Sequence, residues 1–198
     1  AYAHFSEGDF TKSSEVIGKM SASEGVRAFA QYHLAVIEDL SGRGQDALKH
    51  FEEANRLSDG DSLRILQAYA AHLARAGQTP KAKEIYAEFL KKAPSNPIVK
   101  AALARLEAGV VPDRVISSAK QGLAETFYGI ASSLSDERSI EIPVFYLQLA
   151  LALDPGHELA LSLFGDRLDA AERLDDAIEV YGRIPAGSPL YLNARQQI

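Results

Sequence analysis

A short phrase returns along this chain at a nearly fixed interval, and that interval limits the fold more than any other feature. GRGQDALKHFEEANRLSD at 42–59 aligns with GQTPKAKEIYAEFLKKAP at 77–94, and a Gly turn, a small residue, an aromatic and an apolar residue follow in the same order. The offset of 35 relates Gly42 to Gly77, Ala47 to Ala82, Phe51 to Tyr86 and Ala35 to Ala70. A step of 34 back from Ala47 reaches Ser13, with Gly8, Asp9 and Phe10 ahead of it and Ile17 in the aromatic's place. Further on, Ala177 and Tyr181 repeat the relation behind Phe164 and Gly165. A step of 34 back from Ala177 lands on Pro143 in IPVFYLQLALALDP, with Ala131 as the small residue of the helix before it. Five units are visible, one of them partial. A period of this length marks two-helix units that bury their apolar faces only against their neighbours.

The helical reading is supported locally. Phe29, Tyr32, Val36 and Leu40 recur at three- and four-residue spacing, with Ala30, Leu34 and Ile37 offset from them, so two faces of one helix are apolar. Thr79 with Pro80, Asn96 with Pro97 and Ser188 with Pro189 each read as an N-cap followed by Pro at the first helical position. Ser21 and Glu24 have capping-box spacing. The period breaks once. Between Ala82 and Pro143 the excess holds a helix over about 97–108, then Gly109, Val110, Val111, Pro112 and Asp113, and a Gly and a Pro so close together stop a helix. The expected division is 1–108 as repeats ending in an unpaired helix, 109–118 as an irregular linker, and 119–198 as two further repeats and the start of another. The linker either redirects the array or packs into its groove.

At these residues the chain resembles the tetratricopeptide repeat family. The small residues Ala35, Ala70, Ala131 and Gly165 stand in first helices, Ala47, Ala82 and Ala177 in second helices, and Pro94, Pro155 and Pro189 close units. The chain departs from the pattern in having no Trp, in Asp59 where a closing Pro is usual, and in Phe89 and Ile184 for a typical Ala. The resemblance implies an all-α fold, a right-handed superhelical solenoid of antiparallel helix-turn-helix repeats. It also implies a non-enzymatic scaffold or adaptor that binds a partner peptide or helix in its concave groove. Carried over residue by residue, the groove positions are Tyr2, Phe5, Phe29, Tyr32, Val36, Arg64, Gln67, Arg75, Arg105 and Tyr128, with Ser132 beyond them. Phe29 and Tyr32 read equally as contact or as core. The Lys and Asn clamp by which some members grip a carboxylate is missing, its positions being Tyr32, Gln67, Val36 and Ala71. QGLAETFYGIASSL at 121–134, YLQLALALDP and YGRIPAGSPL look like parts of large bacterial envelope repeat proteins, some of them protease adaptors. That likeness favours periplasm or envelope over cytoplasm. The chain reads as a piece of a longer protein.

Other chemistry is weighed and set aside. GRGQDA at 42–47 fits a dinucleotide-binding pattern, but that turn follows a strand and this one follows a helix. His157 and Glu158 open a zincin-like motif whose second His is Leu161. Ser117 to Lys120 fits SxxK without its companion elements. His4, His33, His50, His72 and His157 fall in different units and read as solvated or hydrogen-bonded helix residues, not ligands or bases. No cysteine is present, no apolar run is long enough for a membrane helix, and no cofactor or metal is expected. The net charge is −6, arranged as −3 over 1–80 (8 basic, 11 acidic), +4 over 81–120 (8 and 4) and −7 over 121–198 (5 and 12). An acidic total argues against nucleic acid, although pentatricopeptide repeats, with a 35-residue period, keep an RNA-binding array as an alternative. A basic middle could steer an acidic segment. Self-association through terminal repeats is the third reading, and the expected partner is a protein or peptide.

Overall fold

A computed structural model describes residues 1–20, 24–134 and 140–198, and every regular element among them is helical. The α-helices are α1 Tyr2–Ser6, α2 Phe10–Met20, α3 Arg27–Leu40, α4 Gly44–Leu57, α5 Leu63–Arg75, α6 Thr79–Lys92, α7 Pro97–Glu107, α8 Ala119–Ser133, α9 Glu141–Leu153, α10 Glu158–Ala170, α11 Leu174–Gly182 and α12 Tyr191–Gln196. A 3-10 turn at Glu24–Val26 precedes α3. The chain divides into two compact units, Ala1–Gly122 and Leu123–Ile198.

In the first unit α3 packs on α4, α5 on α6, and α4 and α6 each on the helix that follows. The repeat positions do what their size dictates. Ala35, Ala70, Ala47 and Ala82 are fully buried, because only a side chain of that volume lets two helix backbones cross closely. Phe51 and Tyr86 fill the space beside them. Each turn between paired helices is closed by a left-handed glycine, Gly42 at φ 78° and Gly77 at φ 77°. The amide after each donates back into the preceding helix, Arg43 N to Glu38 O at 2.9 Å and Gln78 N to Leu73 O at 2.8 Å, the bonding that ends a helix on a left-handed residue. Gly109 ends α7 in the same way, at φ 79° and with Val110 N on Arg105 O at 2.9 Å. Helix α7 therefore ends like a first helix, but no second helix follows it.

The helix bounds come close to expectation, α7 at Pro97–Glu107 and α8 at Ala119–Ser133. Asn96 caps α7, its side chain accepting from Val99 N. Thr79 does not cap α6. It is the first helical residue, with Gln78 at the cap. Ser188 Oγ accepts from Leu190 N in a turn ahead of α12, which begins only at Tyr191. The expected capping box starts at Ser21, outside the described residues. Asp59 and Gly60 both take positive φ, 51° and 69°. A proline, fixed near −65°, has no place at Asp59.

In the second unit α10 packs on α11 and α9 on α10. Ala131, Ala150 and Ala160 are fully buried and Ala177 nearly so. The ring of Tyr181 lies flat on Gly165, where a Cβ would overlap it.

Candidate functional site

The period brings acids and histidines of successive first helices together. Asp39 lies in the last turn of α3, where an anion meets the negative end of the helix dipole and needs compensation. Helix α5 supplies it one repeat later. His72 Nδ1 lies 3.0 Å from Asp39 Oδ1, and Arg75 Nη2 donates to Oδ2 at 2.5 Å. The third partner comes from outside the repeats. Arg114 Nε donates to Asp39 Oδ2 at 3.1 Å, and its Nη2 to the Asp39 carbonyl at 3.3 Å. Burial pushes the Asp39 carboxyl up, but the His72 hydrogen bond and the charges of Arg75, His72 and Arg114 outweigh it and hold the group below the usual carboxylate range.

Arg114 belongs to the segment between α7 and α8, which has no helix from Val110 to Ser118. Val115 packs against the core of this unit and Ile116 is buried in it. Together with Val36, Asp39, Phe51, Ala68 and Arg75 they enclose a void of only about 10 Å³. The segment leads on to Gly122, which is covered by the ring of Tyr2. The Tyr2 hydroxyl in turn is hydrogen-bonded to His33 Nδ1 on α3, at 2.7 Å. Within this unit the segment thus packs beside residues of α3, α4 and α5.

The expected groove residues are placed unevenly. Val36 and Arg75 converge with Asp39 under the segment. Tyr2, Tyr32 and Val36 are buried. Phe29 is half-buried, edge-on to His33 at 4.3 Å, and Phe5 packs on Phe10 at 5.0 Å. Arg64 and Gln67 are half-buried on α5, and Arg105 is exposed on α7. Tyr128, in the second unit, lies 4.8 Å from the His157 ring. Asp39, His72 and Arg114 were not among the expected residues. The signal for the first two was their separation of 33, close to one repeat.

The second unit repeats the acid–histidine arrangement. His157 caps α10 by accepting at Nδ1 from Ala160 N, at 3.2 Å, so its proton sits on Nε2, 3.0 Å from Glu125 Oε2. Both residues are buried, and a structural bond of this kind fixes α10 against α8. His50 is hydrogen-bonded to Gln31 at 2.7 Å. Among the described residues no group of three acids or histidines could hold a metal ion, and no helix is long and apolar enough to cross a membrane.

Paired helices crossing at alanines and joined by left-handed turns define a helical-repeat protein of the kind built to hold other proteins. Residues 40–106, which span α4 to α7, match the tetratricopeptide repeat family model. In that general sense the chain is a protein-interaction scaffold. Among solved structures it is similar to MamA 41-end from Desulfovibrio magneticus RS-1, at 13% identity over 98% of this chain and 90% of that one, with a TM-score of 0.40. The comparison with curated proteins gave no match.

Proposed function

We propose that this chain is a non-enzymatic scaffold whose first unit takes an extended segment of a partner protein on the face formed by its first helices α3 and α5. One observation carries the reading. That face already seats a non-helical stretch of polypeptide, with a basic side chain on Asp39 and Ile116 buried beside Val36 and Ala68. This is the division of labour of peptide grooves, in which polar anchors fix register and apolar side chains supply affinity. Arg64 and Gln67 continue the same helix beyond the seated segment. Panning a random dodecapeptide display library against the chain tests the proposal. Selected peptides should lose at least fivefold in affinity when Arg64→Ala and Gln67→Ala are combined, with helicity retained. Peptides indifferent to both substitutions, or no selection at all, would remove this face as the docking site.

A further inference from the structure

The stretch from Val110 to Ser118 is a strap over the proposed docking face of α3 and α5, and the role assigned to it rests on that proposal. The strap is pinned at few points. Val110 and Val111 are 42% and 57% exposed, Asp113 and Ser117 are exposed, and the holding contacts are the Arg114 guanidinium on Asp39 and the adjoining Val115 and Ile116. Its fit is imperfect in polar terms, since Arg75 Nη1 is buried beneath it with no hydrogen-bond partner. Burial first, and then the Arg114 guanidinium, work against the charge of Arg75, while Asp39 and, from the strap itself, Asp113 support it. Apolar filling, by contrast, is complete, since the void of about 10 Å³ leaves space for one water at most. Nothing else can enter while the strap is seated.

A segment that fills the apolar seat, satisfies the acid and leaves a buried donor unmet is a partial ligand. We infer that the strap is a built-in stand-in for the partner, which is an extended peptide carrying a basic side chain followed directly by two aliphatic residues, and that this peptide binds by displacing residues 110–118. The partner's basic group replaces Arg114 on Asp39, its aliphatic pair replaces Val115 and Ile116 against Val36 and Ala68, and its backbone supplies an acceptor to Arg75 Nη1. The strap needs none of the neighbouring helices to unfold in order to leave, because it contributes no helix of its own. Tethered at both ends, it competes at high effective concentration, so the apparent affinity for any partner is lowered by the fraction of time the seat is open.

The probe is a fluorescein-labelled peptide of sequence VVPDRVISS, that of residues 110–118, titrated with the full chain and followed by fluorescence anisotropy. Arg114→Ala should tighten binding at least threefold relative to wild type, and Arg114→Ala with Ile116→Ser at least tenfold. The same peptide with its Arg replaced by Ala should bind at least tenfold more weakly. A chain with Arg114→Ala that keeps its helicity and binds no better than wild type overturns the proposal. Hydrogen exchange of wild type covers the case in which the double variant fails to fold. A high concentration of peptide should raise deuterium uptake across 110–118 and leave α3 and α5 protected, and unchanged uptake there likewise overturns it. The docking face and the strap fail differently. Display peptides that depend on Arg64 and Gln67 but bind wild type and Arg114→Ala equally would keep the docking face and remove the strap's role. Absence of any selected peptide would remove the face itself.

Discussion

Replacing Gly165 with Ala sets helix propensity against packing, and the structure decides which wins. In the interior of a helix Ala is favoured over Gly by about 1 kcal/mol, so on α10 alone the substitution would stabilise. Here the new Cβ would lie inside the ring of Tyr181, against three of its carbons. That ring has no easy way out. It is 3% exposed, and its hydroxyl donates to Asp166 Oδ1 at 2.6 Å. Burial, then the Asp166 acceptor, raises the phenol's pKa well above its ordinary value. If the ring stays, overpacking costs about 1–3 kcal/mol. If it swings away, a hydrogen bond to a carboxylate is lost, about 1.5–3 kcal/mol. Less the propensity gain, the net expectation is destabilisation of up to about 2 kcal/mol, a fall in melting temperature of up to about 8 °C for a chain of this size. Thermal unfolding by far-UV circular dichroism reads it. Repeating the measurement in a Tyr181→Leu background isolates the cause. With the ring gone, Gly165→Ala should stabilise by about 0.5–1 kcal/mol, a reversal of sign that a double-mutant cycle reports as coupling. Equal stabilisation in both backgrounds would refute the claim that Gly165 is there to admit the tyrosine.

Glu172 occupies the left-handed turn between α10 and α11 at φ 59°, with Arg173 N on Leu168 O at 2.9 Å, the position held by glycine in the turns at Gly42 and Gly77. Glu172→Gly should therefore raise stability by about 0.5–1 kcal/mol, since left-handed backbone costs a non-glycine residue roughly 1–2 kcal/mol and the gain is partly offset by glycine's entropy. A lower melting temperature for this variant would count against the turn assignment. The depressed pKa of Asp39 predicts a pH dependence. A carboxyl lowered in the folded state contributes stability that is fully present above its unfolded value of about 4 and is lost as pH falls through the folded value. The stability gap between wild type and Asp39→Asn, measured by urea unfolding, should be constant near neutrality and shrink below about pH 4. A gap that stays the same in acid would mean that the ion cluster does not hold the carboxyl down.

The hairpins were legible because each rests on a residue type with one physical reason to be there. Alanine at 35, 47, 70 and 82 is fully buried where helices cross, and glycine at 42 and 77 takes a backbone angle other residues avoid. The turn at Glu172 was less plain because a non-glycine residue adopts the same geometry at a cost, so the mark is missing while the bond pattern remains. The roles of the histidines were hidden for a different reason. Metal and catalytic pairs are sought three or four residues apart on one helix, whereas in a stacked array the neighbour comes one repeat later. Asp39 and His72 are 33 apart and Glu125 and His157 are 32 apart, and both pairs become visible once residues are compared at that spacing.

The strap lies beyond that comparison, since Arg114 reaches Asp39 across 75 residues, which is no multiple of the repeat. Two signals for it were nonetheless present in the sequence. One is an aspartate in the last turn of α3, a place where a buried acid is stable only if cations come to it; α5 offers Arg75, and the repeats supply no other arginine there. The other is the interruption itself. After Gly109 the chain reads Val, Val, Pro, Asp, Arg, Val, Ile, β-branched residues around a proline that resist helix and favour extended backbone. An extended run rich in β-branched side chains, following a first helix that has no second, must bury its apolar residues on some surface, and the exposed faces of the preceding first helices are what the array offers. The break in the period is thus the place where the chain supplies to its own groove what a partner would otherwise bring.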